Sequence, residues 1–226
     1  MLPGMSGAAT HLAPGGPAVP GAVRGGVLRS LAATSAVLGL CWTVPAANTG
    51  IAYASLGLDA VPVVTGLIGV LAVVVALRML HGAWWLALLS LVPGLFVLVG
   101  SVQYAPEAAL EHRGVHEAVV VTEDSAQGTG STDHRFTLVG PEGELDETLR
   151  HRGSHPGIDV GDRVEVVRDP EGVVPMEEAG DVDPEGRLGG LVTGTGGWTL
   201  LTVAAGWRGH FLRRRGRRPV LERFAF

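Results

Sequence analysis

Residues 61–102 read VPVVTGLIGVLAVVVAL (61–77), RMLHG (78–82) and AWWLALLSLVPGLFVLVGSV (83–102). Two long apolar runs flank five residues that include Arg78 and His81. A hydrocarbon core is about 30 Å thick, so a spanning helix needs about 20 mostly apolar residues. The second run has 20 residues and no charge, and the first has 17, bracketed by Asp59 and Arg78. In lipid each backbone polar group must be satisfied within its own segment, so both runs are predicted to be helical despite their Val content. The stretch therefore reads as a membrane hairpin rather than the buried hairpin of a water-soluble domain. Pro93 lies inside the second run and is expected to kink it. Trp84 and Trp85 at one end and Tyr104 at the other match an aromatic belt at the two interfaces.

Working outward, Val27–Val44 is another apolar run, with Arg24 and Arg29 at its start. It is either a first membrane helix, taken as 27–47, or the core of a signal peptide cleaved near Val44-Pro45-Ala46. Met1–Gly26 is rich in Gly, Pro and Ala and is expected to be a disordered leader. Asn48, Thr49 and Gly50 suit a turn between the first two spans. Leu188–Trp207 is a fourth apolar run, 20 residues long and uncharged, but diluted by Gly and Thr. Gly190 and Gly194 have the spacing that lets helices approach closely. Residues 208–226 form an Arg-rich tail, with Arg213, Arg214, Arg215, Arg217 and Arg218 clustered.

Residues 103–187 differ in character. Ala118–Thr122 is β-branched, while Arg135–Val139 and Arg163–Val167 alternate, with Phe136, Leu138, Val164 and Val166 on inward faces. Glu144–Leu149 reads as a return strand and Val173–Val174 as a further one. Pro141-Glu142-Gly143 and Asp169-Pro170-Glu171-Gly172 are turn sequences. The expectation is a small antiparallel β domain of about five strands, barrel-like or sandwich-like, closed by an acidic linker over Glu177–Glu185. The fold class is thus a membrane α-helical protein, of four spans or of three plus a cleaved signal, with a β domain inserted before the last span.

Charge divides along the same boundaries. Residues 103–187 hold 20 acidic residues and 7 Arg, a formal charge of −13, whereas the remainder carries +8, giving the net −5. Positive residues in short loops stay in the cytoplasm. Both termini and Arg78 are therefore expected inside, with Asp59 and the acidic β domain outside. The Arg tail can also bind anionic lipid headgroups, at about 1 kcal/mol per Arg near the surface. That reading is preferred to nucleic-acid binding because the cluster adjoins a membrane helix.

All 17 basic residues are Arg, so chemistry that needs a phosphate-loop or Schiff-base lysine is excluded. Cys41 is the single cysteine, which excludes an internal disulfide. The sequence has no Gly-x-Ser-x-Gly elbow, no His-Glu-x-x-His and no dinucleotide-binding glycine pattern. No enzyme activity and no cofactor are expected. His112 and His116, and likewise His151 and His155, form two His-x3-His pairs that could ligate a metal or sense acidity. Solvated loop histidines are the competing reading, because Gly114 and Gly153 interrupt both pairs. Asp181, Asp183, Glu185 and Gly186 imitate the start of a calcium loop, but the twelfth position falls on Val192, which has no carboxylate.

Ala118–Thr122, then Arg135-Phe136-Thr137-Leu138, then Gly161-Asp162-Arg163-Val164-Glu165-Val166 leading to Asp169-Pro170, form a series of strands and turns. In this series His116–Pro175, about a quarter of the chain, resembles the β region of a bacterial membrane family of unknown function, three-five-nine-two in the domain-of-unknown-function series. The resemblance implies membrane helices flanking a small extracytoplasmic β domain, and no activity. Arg168 stands where an aromatic residue is more usual in that family. The functional expectation is a membrane protein that displays its β module to an envelope protein or a cell-wall component. A metal-dependent sensor or enzyme, and an accessory subunit of a membrane complex, are the alternatives.

Overall fold

The computed structural model describes residues 20–81, 84–153 and 157–214. Among the described residues, helices α1 (Pro20–Ala54), α2 (Ala60–His81), α3 (Trp84–Leu89), α4 (Leu91–Arg113) and α5 (Pro184–Arg214) accompany one antiparallel sheet, inserted in the chain between α4 and α5. Among the described residues, three segments are long and apolar enough to cross a membrane: Leu28–Ala54, Ala60–Leu80 and Trp84–Arg113. Helix α5 does not reach that measure, because Gly and Thr dilute its apolar residues.

The first helix is longer than expected at both ends. It begins at Pro20, within the expected leader, and proline is tolerated in a first helical turn because that amide has no partner anyway. Residues 1–19 of the leader lie outside the described residues. At its other end α1 continues through Pro45 to Ala54, so the expected turn at Asn48–Gly50 and the small-residue site at Val44–Ala46 are both helical. Tertiary hydrogen bonds explain the difference. Asn48 is 3% exposed; it donates to Ser101 Oγ at 2.8 Å and accepts from Thr65 Oγ1 at 2.6 Å. A turn-forming side chain is thereby used to join α1 to α2 and α4. The reversal occurs later, at Ser55–Leu58.

The apolar run over 83–102 is two helices broken at Ser90, three residues before Pro93. Pro93 lacks an amide, so the break falls in the preceding turn and the proline occupies the first turn of α4. Ser90 Oγ donates to the Ala87 carbonyl at 2.6 Å, and the Ser90 carbonyl accepts from Trp198 Nε1 of α5 at 2.9 Å. Trp198 is fully buried in the bundle core with Val37, Cys41, Val73, Leu77 and Val97. Helices α4 and α5 pack closely through glycine. A Cβ on Gly194 would lie 2.7 Å from the Pro93 carbonyl, and one on Gly100 2.8 Å from the Leu191 amide. The paired glycine expected with Gly194 does not take part, since a Cβ on Gly190 would meet nothing within 4 Å.

Helix α4 passes Val102 and ends at Arg113, so residues 103–113 continue that helix and the β domain opens at Val115 rather than at 103. At about 1.5 Å per residue, the stretch after Val102 adds roughly 16 Å, enough to carry the chain clear of an apolar layer. Gly114 closes the helix by donating its amide to the Leu110 carbonyl at 2.8 Å and enters β1 directly. A side chain at Gly114 would run into the Leu110 carbonyl and Val167.

The sheet comprises β1 (Val115–Asp124), β2 (Asp133–Gly140), β3 (Gly143–Glu144), β4 (Leu149–Arg152), β5 (Arg163–Arg168) and β6 (Glu177–Glu178), in the order β3-β2-β1-β5-β6, with β4 also on β2. Strands β4 and β6 come within 8 Å of each other, so the sheet curls over its core of Val119, Val121, Phe136, Leu138 and Val166. Three expectations change. The return strand over 144–149 is two short strands, β3 and β4. Val173 and Val174 form no strand, because both amides bond to the Asp169 carboxylate. The acidic linker is instead β6 followed by the start of α5 at Pro184.

Candidate functional site

The β module sits directly on the helices. Val167 faces away from the module's core and packs with Leu110 of α4, Leu56 from the α1–α2 reversal, and Val174. Two charged contacts flank this apolar patch. Arg113 reaches Asp169 at 2.8 Å and Glu171 at 2.6 Å. Glu107 of α4, its side chain only 4% exposed, accepts from Arg187 Nε at 2.7 Å and from the Asp183 amide at 3.1 Å. Asp183 in turn caps α5 by accepting the Gly186 amide at 2.9 Å. The calcium-loop acid at the third position is therefore a helix cap.

Beside this junction lies a crevice formed by two cavities, of about 440 and 420 Å³, which share Gln103, Pro106 and Glu177. The first is walled by Glu107, Glu178, Asp181, Arg150, His151 and Arg187. The second descends between the α1–α2 reversal and α4, where Ala52, Pro62, Val63 and Val102 give it an apolar floor beneath Arg152 and Asp59. Glu177 is half-buried between the two. Burial pushes its carboxyl above the usual range, Glu107 and Asp181 push it further, and Arg187 opposes them. Among the described residues, no carboxylate lies within salt-bridge distance of Arg150 or Arg152. Both are exposed.

The histidines singled out in the sequence are dispersed. His112 is in the last turn of α4 and His116 in β1, on opposite sides of the helix-to-strand change at Gly114. His116 pairs with Glu165 at 3.1 Å on the exposed face. His151 lies in β4 and lines the crevice, while His155 lies outside the described residues. Among the described residues, no group of three or more His, Cys, Asp or Glu side chains is placed to hold a metal ion.

Sequence reasoning missed His134. It stands opposite His151 across β2 and β4, stacks on Phe136 at 5.9 Å, and meets Asp124 Oδ2 through Nδ1 at 2.9 Å. A carboxylate only accepts, so Nδ1 carries the proton. Burial works against the Asp124 charge, but the Ala126 amide and His134 outweigh it and hold this carboxyl below its ordinary range. The available signal was alternation: His134 is two residues before Phe136 and so shares its inward face.

No protein-family model, no curated protein and no solved structure matches the chain.

Proposed function

We propose that the chain is a four-span integral membrane protein that holds a non-enzymatic β module rigidly at the outer face of a cytoplasmic membrane, for binding or scaffolding. The outward surface of the helices carries this reading. Leu67, Ile68, Leu71, Leu95 and Phe96 are each about half exposed or more. Fully burying such a side chain is worth roughly 1.5–3 kcal/mol, so covering the exposed half adds about 1 kcal/mol each, and lipid supplies that environment. Helix α5 joins as the fourth span through its close packing on α4, with Leu200, Val203 and Trp207 turned outward.

Sidedness follows from charge. Leu56 and Gly57 touch the β module, so the module lies at the end of the bundle that carries Asp59. Arg29, Arg78 and Arg208 belong to the opposite ends of α1, α2 and α5, which the positive-inside tendency assigns to the cytoplasm. The Arg-rich stretch beyond Arg208 would then meet anionic headgroups of the inner leaflet. Arg215, Arg217 and Arg218 of this stretch lie outside the described residues. The likeness of His116–Pro175 to the bacterial family of unknown function belongs to the same proposal and adds topology, not chemistry. The partner would be an envelope protein or a cell-wall component.

Cysteine labelling tests the reading, because Cys41 is buried and gives little background. In intact cells an impermeant maleimide should modify Ser131→Cys and leave Ser30→Cys unlabelled until the cells are lysed. The reverse pattern would invert the topology, and labelling of both in intact cells would discard the membrane arrangement.

A further inference from the structure

We propose that the crevice beside Glu177 binds the zwitterionic headgroup of an aminophospholipid from the adjacent leaflet, with the ammonium among Glu177, Glu178 and Asp181 and the phosphate at Arg150 and Arg152. The inference rests on the membrane reading and names a ligand for its junction. Three features of the crevice agree on this chemistry. Its combined volume falls within the range of sites for small organic ligands. Its charge is divided: Arg187 bonds Glu107, so among the described residues Glu177, Glu178 and Asp181 make no salt bridge of their own, while Arg150 and Arg152 project from β4 without a carboxylate partner. Its lower part is apolar, with Pro62, Val63 and Val102 continuing into the helices that the proposal places in lipid.

A free metal ion fits poorly, because the acids do not converge as a ligand set among the described residues. A soluble anion would meet the arginines but leave the carboxylates facing one another. A zwitterion satisfies both, and an acyl chain uses the floor. The headgroup should be a primary ammonium: its three N–H donors can each bond a carboxylate, which a quaternary ammonium cannot do. An ammonium beside Glu177 would also relieve the repulsion from Glu107 and Asp181 that raises its proton affinity.

The test is native mass spectrometry of the full-length protein released from detergent, with equal amounts of phosphatidylethanolamine, phosphatidylcholine and phosphatidylglycerol. The protein should retain phosphatidylethanolamine in preference to the other two. Glu177→Gln and Arg152→Ala should each weaken that retention by about tenfold, the loss expected for one charge-assisted hydrogen bond. Arg29→Ala, at the far end of the bundle, should leave it unchanged. Equal retention of the three lipids, an unaltered preference in both crevice variants, or capture of calcium in place of lipid overturns the proposal. Displacement of the lipid by water-soluble glycerophosphoethanolamine at equal concentration also overturns it, by making the ligand a soluble zwitterion. Glu177→Gln is expected to fold at least as stably as the parent, so a loss of selectivity there is not a loss of structure. Alkaline carbonate extraction separates the two readings: release into the soluble fraction breaks the membrane assignment, whereas retention without lipid preference breaks this inference alone.

Discussion

The Asp169 carboxylate, in a residue only 3% exposed, receives the amides of Glu171, Val173 and Val174 together with the guanidinium of Arg113. Burial alone would raise its proton affinity, but these four donors reverse the effect and hold the carboxyl below its ordinary range. Replacing it by Ala strands three amides and leaves Arg113 with Glu171 alone, so Asp169→Ala should cost about 3 kcal/mol, seen as a lowered midpoint in thermal unfolding of the solubilised protein. Because the folded value lies below the unfolded one of about 3.9, the contribution is complete at neutral pH and is lost as pH falls through the depressed folded value. Glu177 has the opposite sign. Its raised proton affinity means that ionisation at neutral pH opposes folding, and stability recovers as pH falls from the raised folded value toward about 4.3. Glu177→Gln should therefore raise the midpoint at pH 7.5 by roughly 2–4 °C, the shift that about 1 kcal/mol produces in a chain of this size, and the gain should disappear near pH 4. Little of this was visible in sequence. Asp169-Pro170 was legible as a turn, yet nothing local shows that its carboxylate would receive Arg113 from 56 residues earlier.

Helices α4 and α5 lie 70 residues apart in the chain but touch along glycine faces, and the two candidate glycines in α5 behave differently. A side chain at position 194 would meet the Pro93 carbonyl and Val97, whereas position 190 opens to empty space. Gly194→Leu should separate the helices and destabilise the protein by about 2 kcal/mol or more, while Gly190→Leu should change stability by no more than about 0.5 kcal/mol. Thermal unfolding in one detergent, with both variants in parallel, checks the contrast. Equal effects would mean that the α4–α5 contact does not carry α5's stability. Spacing in the sequence offered the pair but not the choice, because a helix presents every face to the reader and only its neighbour selects one. The extension of α1 through Asn48 has the same cause: a residue suited to a turn was recruited into a buried hydrogen bond with Ser101.

For the molecule as a whole, the decisive feature is that only short connections join the helices to the sheet. Helix α4 passes into β1 through Gly114, β6 is followed within a few residues by α5, and Val167 is buried against α4 and the α1–α2 reversal. The β module is thus a continuation of the bundle, and the crevice exists only because the two are fixed side by side. The labelling prediction for Ser131 and Ser30 belongs to this scale, since it depends on the distribution of arginine over the whole chain and on no single contact.

The presence of long apolar helices, the inserted antiparallel sheet and the opposed charge blocks could be read directly from residue order. Hydrophobic length, alternation and charge are local sums, and they survive whatever the rest of the chain does. The junction could not be read that way. Glu107 with Arg187, Arg113 with Asp169, His134 opposite His151, and the crevice around Glu177 are pairings between distant segments. Their energies arise from burial and geometry that exist only once the sheet has curled and settled on the helices, so folding in three dimensions, and not local pattern, brought those groups together.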